Sequence, residues 1–271
     1  MVRAILFFLI LVINLSSFAQ ISSSYPFVDG EEVDYTVYYN LSFVWVNAAS
    51  VNFCVKDSSY KDKSAIFFSS TGISNSSYDW IFRVRDSFTS FVSPEQIRPL
   101  TFHRITEEGS EKKNNYYLFD GEGQKIYSFI QDEDKPLKKD TLEAKSIIYD
   151  VLSATYYLRT IDFPKYNIGD TIPVKAVIDN QIIKLEVIYL GKENVLHKNT
   201  KTYQSYKFKT KGVEGSVFDD NSEIFVWVSA DENKIPLKIE SEILVGSVKA
   251  YINTVKKPKQ ETQIIKDFIV E

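Results

Sequence analysis

The 271-residue sequence contains one cysteine and two histidines, and it is poor in glycine (10 residues) and proline (8 residues). A single cysteine cannot form an internal disulfide, so the fold must be stabilised by its core. The low glycine and proline content excludes a collagen-like chain and argues against extended disorder. His103 and His197 have no cysteine or second histidine at ligand spacing, and we therefore predict no metal site.

Motifs that mark enzymes are also missing. The sequence contains no G-x-S-x-G elbow, S-x-x-K motif, phosphate-binding loop or dinucleotide fingerprint. The acidic groups Asp132-Glu133-Asp134 and Asp219-Asp220 lack the alternating frame of a calcium loop and are predicted to be solvated. We predict no catalytic residue and no cofactor, and we expect a protein that is not an enzyme. A glycan-acting hydrolase, whose two carboxylates would meet only in space, is the remaining enzyme alternative.

Charge and hydrophobicity limit the partners and the size of the domain. The formal net charge is −4 and basic residues do not cluster, which predicts neither nucleic-acid binding nor electrostatic attachment to anionic lipid. Hydrophobic residues make up 44% of the chain, enough for a sizeable core. We expect one β-rich domain over residues 20–255, followed by a C-terminal tail of residues 256–271.

The first residues have the composition of a targeting signal. Arg3 precedes an apolar run over residues 4–15, and Ser17 and Ala19 are small residues at the two recognition positions. We predict a signal peptide over residues 1–19, removed by cleavage after Ala19. The apolar run is too short for a comfortable membrane span and no second run follows, so we expect no span in the mature chain.

The position of Cys54 bears on the cellular compartment. The lipid-bearing cysteine of a lipoprotein directly follows the signal, whereas Cys54 lies well inside the chain, so we do not expect a lipoprotein. Its apolar neighbours predict a packed thiol in a strand. An exported chain without disulfides is typical of a bacterial periplasm, and we predict a periplasmic or outer-membrane-associated protein.

Most of the remaining chain has the period-two pattern of β-strands. Apolar and polar residues alternate from Val33 to Tyr39, which predicts a first strand over Glu32–Asn40. Further strands are predicted over residues 44–55, 64–71, 87–93, 100–106, 112–120, 125–131, 171–178, 181–189, 202–211, 223–229, 237–244 and 247–255. We predict a bulge at Asn47-Ala48-Ala49 and a two-residue hairpin turn at Asp179-Asn180.

One stretch, residues 140–159, has the period of a helix instead. Asp140 and Glu143 have the spacing of a capping box. Apolar residues then recur at three- and four-residue steps: Ala144, Ile147, Ile148, Val151, Leu152 and Tyr156. We predict that this helix packs against the sheet and that its apolar side fills a core. The alternative is that this side borders a ligand cavity.

The sequences on either side of the predicted helix resemble each other in order and spacing. Gly30-Glu31 precedes a strand in the first half, and Gly169-Asp170 precedes one in the second. Proline and glycine then stand ten residues apart in both halves, at Pro99 and Gly109 and again at Pro236 and Gly246. Duplication and chance both account for matches of this length.

The two halves, residues 26–139 and 163–255, each contain too few strands to bury both faces of a sheet, so they should pack as one structure. We therefore predict a mainly β fold. It is an antiparallel curved sheet or open barrel made of two similar halves, with one central helix packed against it.

Aromatic residues are abundant, with 19 Phe, 17 Tyr and 3 Trp. Strands favour aromatic side chains, and a large sheet needs bulky residues to fill its core. Alternatively, a concave face lined by these rings would form an apolar groove.

Several short motifs together resemble a known family. They are Gly30-Glu31, Arg85-Asp86, the spacing through Pro99, and Tyr156-Tyr157-Leu158-Arg159. They are similar to an uncharacterised family of exported bacterial proteins, domain of unknown function 3108, and the start at Gln20 is similar to signals of the Bacteroidetes group. The resemblance implies export but no established activity, so it supplies no catalytic residue. Arg85 and Asp86 are expected to form an ion pair or a corner contact.

Two non-enzymatic roles follow for an exported envelope protein. An interaction or assembly module needs an exposed apolar patch or a free strand edge, and its partner would be an envelope protein. A carrier or sensor of an apolar, lipid-like ligand needs a wide cavity lined by aromatic residues. We expect the interaction module, and the sequence does not identify its binding residues.

Overall fold

A computed structural model of the chain describes residues 24–41, 44–120, 125–133, 135–198, 200–212, 222–242 and 246–270. The predicted signal peptide, residues 1–19, lies outside the described residues, as do Asp134 and the pair Asp219-Asp220. Within the described residues, no helix is long and apolar enough to cross a membrane.

Fourteen strands of the described residues form one curved antiparallel sheet, which confirms the predicted mainly β fold. The strands are β1 (Glu32–Leu41), β2 (Val44–Tyr60), β3 (Lys63–Ser74), β4 (Val84–Ser93), β5 (Arg98–Glu108), β6 (Glu111–Phe119), β7 (Lys125–Asp132), β8 (Lys138–Glu143), β9 (Thr171–Ile178), β10 (Gln181–His197), β11 (Lys201–Lys211), β12 (Glu223–Ser229), β13 (Pro236–Glu242) and β14 (Ser247–Lys256). Their order across the sheet is β8-β7-β6-β5-β4-β3-β2-β1-β14-β13-β12-β11-β10-β9. Each half is thus a meander, and the halves join where β1 pairs with β14.

The two halves begin with the same backbone arrangement. The Gly30 amide donates to the Val55 carbonyl at 2.9 Å, and the Gly169 amide donates to the Tyr189 carbonyl at 2.8 Å. In return, the Val55 amide donates to the Glu31 carbonyl, and the Tyr189 amide donates to the Asp170 carbonyl, both at 2.9 Å. Both glycines have positive φ, +80° and +93°, a conformation that glycine adopts readily.

A second local match lies in the β4–β5 and β12–β13 hairpins. Val92 is opposite Pro99, and Val228 is opposite Pro236, with a register shift just before each valine. The similar spacing of the two sequence segments therefore corresponds to similar irregularities in the two hairpins.

The predicted bulge in β2 is confirmed. Val37 of β1 is opposite Ala49, whereas the next residue, Tyr38, is opposite Asn47. Ala48 is therefore the extra residue of the bulge.

The predicted helix over residues 140–159 is wrong in its first half. The one α-helix of the described residues is α1 (Val151–Arg159), and Asp140 and Glu143 lie in β8. The capping box is instead made by Asp150, whose Oδ1 accepts from the Leu152 and Ser153 amides at 2.9 Å each. Ser153 Oγ in turn accepts from the Asp150 amide at 2.9 Å.

The apolar residues Ala144, Ile148 and Tyr149 are buried without being helical. Ala144 and Ile148 are 8% and 3% exposed. Tyr149 forms a parallel bridge to Ala176 of β9, so the end of this segment pairs with the sheet. The apolar spacing therefore predicted correctly that these apolar residues are buried, but not their conformation.

The inner side of α1 contacts a filled aromatic core. The Tyr156 ring stacks on Phe68 with centroids 3.9 Å apart, and both rings contact Phe27 edge-on. Leu152 is 3% exposed in the same cluster. At these residues the aromatic side chains fill the core between helix and sheet.

The C-terminal residues belong to the core of the second half. Ile265 and Phe268 are 0% and 5% exposed, and the Phe268 carbonyl accepts from the Val255 amide at 2.7 Å. The strand predicted over residues 181–189 continues to His197, which ends β10 with its ring against Phe268. Burial lowers the pKa of His197, although a hydrogen bond to the Ile252 carbonyl opposes this effect.

Candidate functional site

Two of the motifs singled out in the sequence meet in a buried ion pair. Arg159, the last residue of α1, donates to both oxygens of Glu31, at 2.6 and 3.0 Å. The two side chains are only 6% and 0% exposed. Such a bidentate pair is geometrically specific, and its burial removes it from screening by solvent.

Arg159 also connects α1 to two other parts of the chain, at Pro26-Phe27 and at Asn233. It donates to the carbonyls of Pro26 at 3.1 Å and Asn233 at 2.9 Å, and it lies over the rings of Phe27 and Tyr156. The guanidinium therefore holds the helix against both halves of the sheet. Because it is enclosed by protein groups, we assign it a structural role.

Arg85 and Asp86 do not contact each other as an ion pair. Neighbouring residues of a strand point to opposite faces of a sheet. Arg85 pairs with Asp79 at 2.5 Å and donates to Ser74 Oγ at 2.8 Å, beside the β3–β4 loop. Asp86 lies on the inner face, opposite Thr106 of β5.

A cluster of polar side chains occupies one end of this inner face, on β4–β8. Arg104 is opposite Asn115, Tyr117 is opposite Ser128, and Ser128 is opposite Asp140. Residues opposite each other in register share a face, so these side chains converge although they come from four different strands.

The β9–β10 hairpin covers this cluster. Its two-residue turn, Asp179-Asn180, is confirmed: Ile178 pairs with Gln181, and both turn residues have positive φ (44° and 64°). Asp179 forms an ion pair with Arg104 and accepts from Asn115 Nδ2 at 3.3 Å.

Asn180 binds the same face of the first half. Its amide donates to the Tyr117 hydroxyl at 3.0 Å, and its side-chain Nδ2 donates to Asp140 at 2.8 Å. We call the group Asp86, Arg104, Asn115, Ser128, Asp179 and Asn180 the polar cluster.

The polar cluster contains several buried atoms without a hydrogen-bond partner among the described residues. They are Asp86 Oδ1, Arg104 Nε, Asn115 Oδ1, Ser128 Oγ and Asn180 Oδ1. Asn115 and Ser128 are 2% and 1% exposed. Burial, together with the nearby Glu108 carboxylate, raises the pKa of Asp86 to about 7.

An exposed apolar loop lies at the same end of the sheet. Trp80, Ile81 and Phe82, which we call the apolar loop, are 82%, 63% and 53% exposed in the connection between β3 and β4. A Cβ at Gly109 would lie 3.0 Å from the Phe82 ring, so this ring lies close to the β5–β6 turn. Val44 and Trp45 at the start of β2 are also exposed.

The open edge of the sheet at β8 is charged and solvent-exposed. Its sequence is KKDTLE, and five of its six residues are exposed. Charged residues on an edge strand oppose pairing with another chain.

The remaining candidate residues do not assemble into a reactive group. His103 makes a 2.7 Å hydrogen bond with Asn114, and Cys54 is a buried free thiol. Burial raises the pKa of Cys54, which disfavours the reactive thiolate. Among the described residues, no group of three or more His, Cys, Asp or Glu side chains is arranged to hold a metal ion.

Comparison with known proteins identifies the family. The family model described as "Protein of unknown function (DUF3108)" matches residues 34–253. The chain belongs to this family. No curated protein matches the chain.

Comparison with solved structures gives two matches of different quality. One is a β-barrel-like protein of the DUF1849 domain from Brucella abortus, with a TM-score of 0.53 and 9% identity, covering 84% of this chain and 97% of that one. The other is the hypothetical protein CT021 from Chlamydia trachomatis, with a TM-score of 0.28 and 11% identity, covering 83% and 85%. At this identity, the first similarity shows the fold alone.

Proposed function

We propose that this DUF3108 protein is an exported, non-enzymatic interaction module of the bacterial envelope that docks an envelope protein through the apolar loop. The observation that carries the proposal is the exposure of three consecutive large apolar side chains, 82%, 63% and 53% at Trp80, Ile81 and Phe82. Contiguous exposed apolar surface of this kind marks interaction sites, because water contacts it unfavourably until a partner covers it.

Two other features favour docking through the loop over the alternatives. The charged residues of β8 disfavour strand addition at that edge. The stacked rings of Phe68 and Tyr156 fill the space beneath α1 that a lipid carrier would leave open. For export, the support is the apolar run and the small residues at the N-terminus.

Site-specific photo-cross-linking in the native cells tests the docking. A photoreactive residue at Ile81 should form a covalent adduct with a discrete envelope protein. The control position is Lys61, which is also exposed but lies in the β2–β3 turn at the opposite end of the sheet. Identical adduct patterns at both positions, or no adduct at Ile81, would contradict the proposal.

Export is tested separately by the intact mass of the protein from the envelope fraction. We expect a chain that begins at Gln20, after removal of residues 1–19. A chain that begins at Met1, or accumulation in the cytosol, would refute export without bearing on the docking surface.

A further inference from the structure

The polar cluster adjoins apolar core on the same inner face of the sheet. Further along the same strands lie apolar residues. Phe102 and Ile126, two residues from Arg104 and Ser128, are 3% and 0% exposed, and Phe119, four residues from Asn115, is 5% exposed. Polar side chains in such a place are unfavourable unless their hydrogen-bonding groups are satisfied. Some partners are supplied by the β9–β10 hairpin, but five buried atoms are left without one. Ion-pairing and packing within the cluster therefore do not account for its composition.

The five atoms define the chemistry of the missing partner. Asn115 Oδ1 and Asn180 Oδ1 are carbonyl oxygens, which only accept hydrogen bonds. The amide nitrogens of the same side chains donate to Asp179 and Asp140, respectively, which fixes the orientation of each amide. Asp86 Oδ1 is a further oxygen of this kind when ionised. Ser128 Oγ both donates and accepts, and Arg104 Nε only donates. A complementary ligand must donate several hydrogen bonds and accept at least one.

Charge narrows the choice of ligand. The Arg104 guanidinium is already paired with Asp179, so the site does not present a free cation to an anion. An ammonium group donates but cannot accept, so it would leave Arg104 Nε without a partner. A hydroxyl group both donates and accepts and carries no charge, so neighbouring hydroxyls match the cluster best.

We propose that the polar cluster binds the hydroxyl groups of a small neutral polyol or sugar. The ligand would enter from the end of the sheet, where the Asp179 and Arg104 side chains are still 30% and 15% exposed. Asn115 and Ser128, at 2% and 1% exposure, would form the floor of the site. This site is distinct from the apolar loop, and the proposal does not depend on the docking of an envelope protein.

Saturation-transfer NMR on the mature protein tests the proposal with three probes: glucose, glycerol and the diamine putrescine. We expect transfer to glucose or glycerol and none to putrescine. Ser128→Ala and Asn115→Leu should each weaken the affinity about tenfold or more, because each removes a hydrogen-bonding group from the floor. Ser205→Ala is the matched control: Ser205 is also fully buried, but its hydroxyl already donates to the Glu193 carbonyl at 2.9 Å. It should leave the affinity unchanged.

Other outcomes overturn the proposal. No transfer to either hydroxylated probe would mean that water alone satisfies the five atoms. Transfer to putrescine in place of the sugars would refute the hydroxyl chemistry, and transfer undiminished in both variants would place the sugar elsewhere on the protein. Amide-proton dispersion checks that the variants are folded. If Asn115→Leu fails this check, Ser128→Ala decides the result, since it removes a single oxygen atom.

Discussion

The replacement Arg159→Leu tests whether the ion pair with Glu31 holds the helix to the sheet. The variant leaves the Glu31 carboxylate, 0% exposed, without its cation. It also removes the donor to the carbonyls of Pro26 and Asn233. Loss of one partner of a buried pair typically costs about 3–5 kcal/mol, because the remaining charge stays desolvated. We therefore expect the free energy of unfolding to fall by about that amount.

A double variant separates the cost of an orphaned charge from the value of the pair itself. Glu31→Leu combined with Arg159→Leu removes both charges, and replacement of a whole buried pair by apolar residues is often nearly neutral. We expect the double variant to be more stable than Arg159→Leu alone. Lys184→Met is the control, since its pair with Glu186 is 59% and 60% exposed and should contribute about 0–1 kcal/mol.

The assay is urea unfolding followed by tryptophan fluorescence and far-UV circular dichroism, with the midpoint and slope fitted for each variant. If Arg159→Leu costs no more than Lys184→Met, the Glu31 carboxylate reaches solvent and the enclosure of the pair is wrong. If the stability losses of Glu31→Leu and Arg159→Leu, each measured alone, add up to the loss of the double variant, the two side chains do not act as a pair.

Three further predictions concern stability. Leu152→Ala should cost about 2–5 kcal/mol in urea unfolding, since the side chain is 3% exposed in a filled core, and a near-zero loss would show that it borders a cavity. Because the pKa of Asp86 is raised to about 7, its protonation favours the folded state. This stabilisation is full below about pH 4 and is lost as the pH rises through 7. Asp86→Asn should therefore make the free energy of unfolding depend less on pH over that interval, and an unchanged pH profile would contradict the shift. Gly246→Ala should lower the thermal unfolding temperature more than Gly169→Ala does. Both glycines have positive φ, but only at Gly246 does a Cβ overlap a backbone carbonyl of β1. Equal losses in the two variants would refute that clash.

The strands were predictable because their signal is local. Alternation over a few residues decides which side chains are buried, and β9 and β12 begin and end where the pattern places them. The hairpin turn Asp179-Asn180 is likewise a two-residue signal. The first half of the predicted helix failed for the opposite reason. Residues 138–143 pair with β7, and this tertiary pairing overrides the apparent capping box.

The candidate site could not be assembled from the sequence because its contacts are distant along the chain. Asp179 meets Arg104 across 75 positions and Asn115 across 64. Alternation indicates that Arg104 and Asn115 each point to one face of their strands. It does not indicate which hairpin covers that face, because this depends on how the two halves curve around each other. The pairing of Glu31 with Arg159, 128 positions apart, was hidden in the same way.

The two proposed sites lie close enough to influence each other. The apolar loop leads directly into β4, where Asp86 is the third residue, and the Phe82 ring lies against Gly109 in the turn that follows β5. A protein docked on the loop would therefore cover the end of the sheet through which a sugar reaches the polar cluster. Coupling between two ligands is reciprocal, so bound sugar should change docking as much as docking changes sugar affinity. We expect saturating glucose to alter the cross-linking yield at Ile81 in the wild type but not in Ser128→Ala. The same yield with and without glucose in the wild type would show that the two sites act independently.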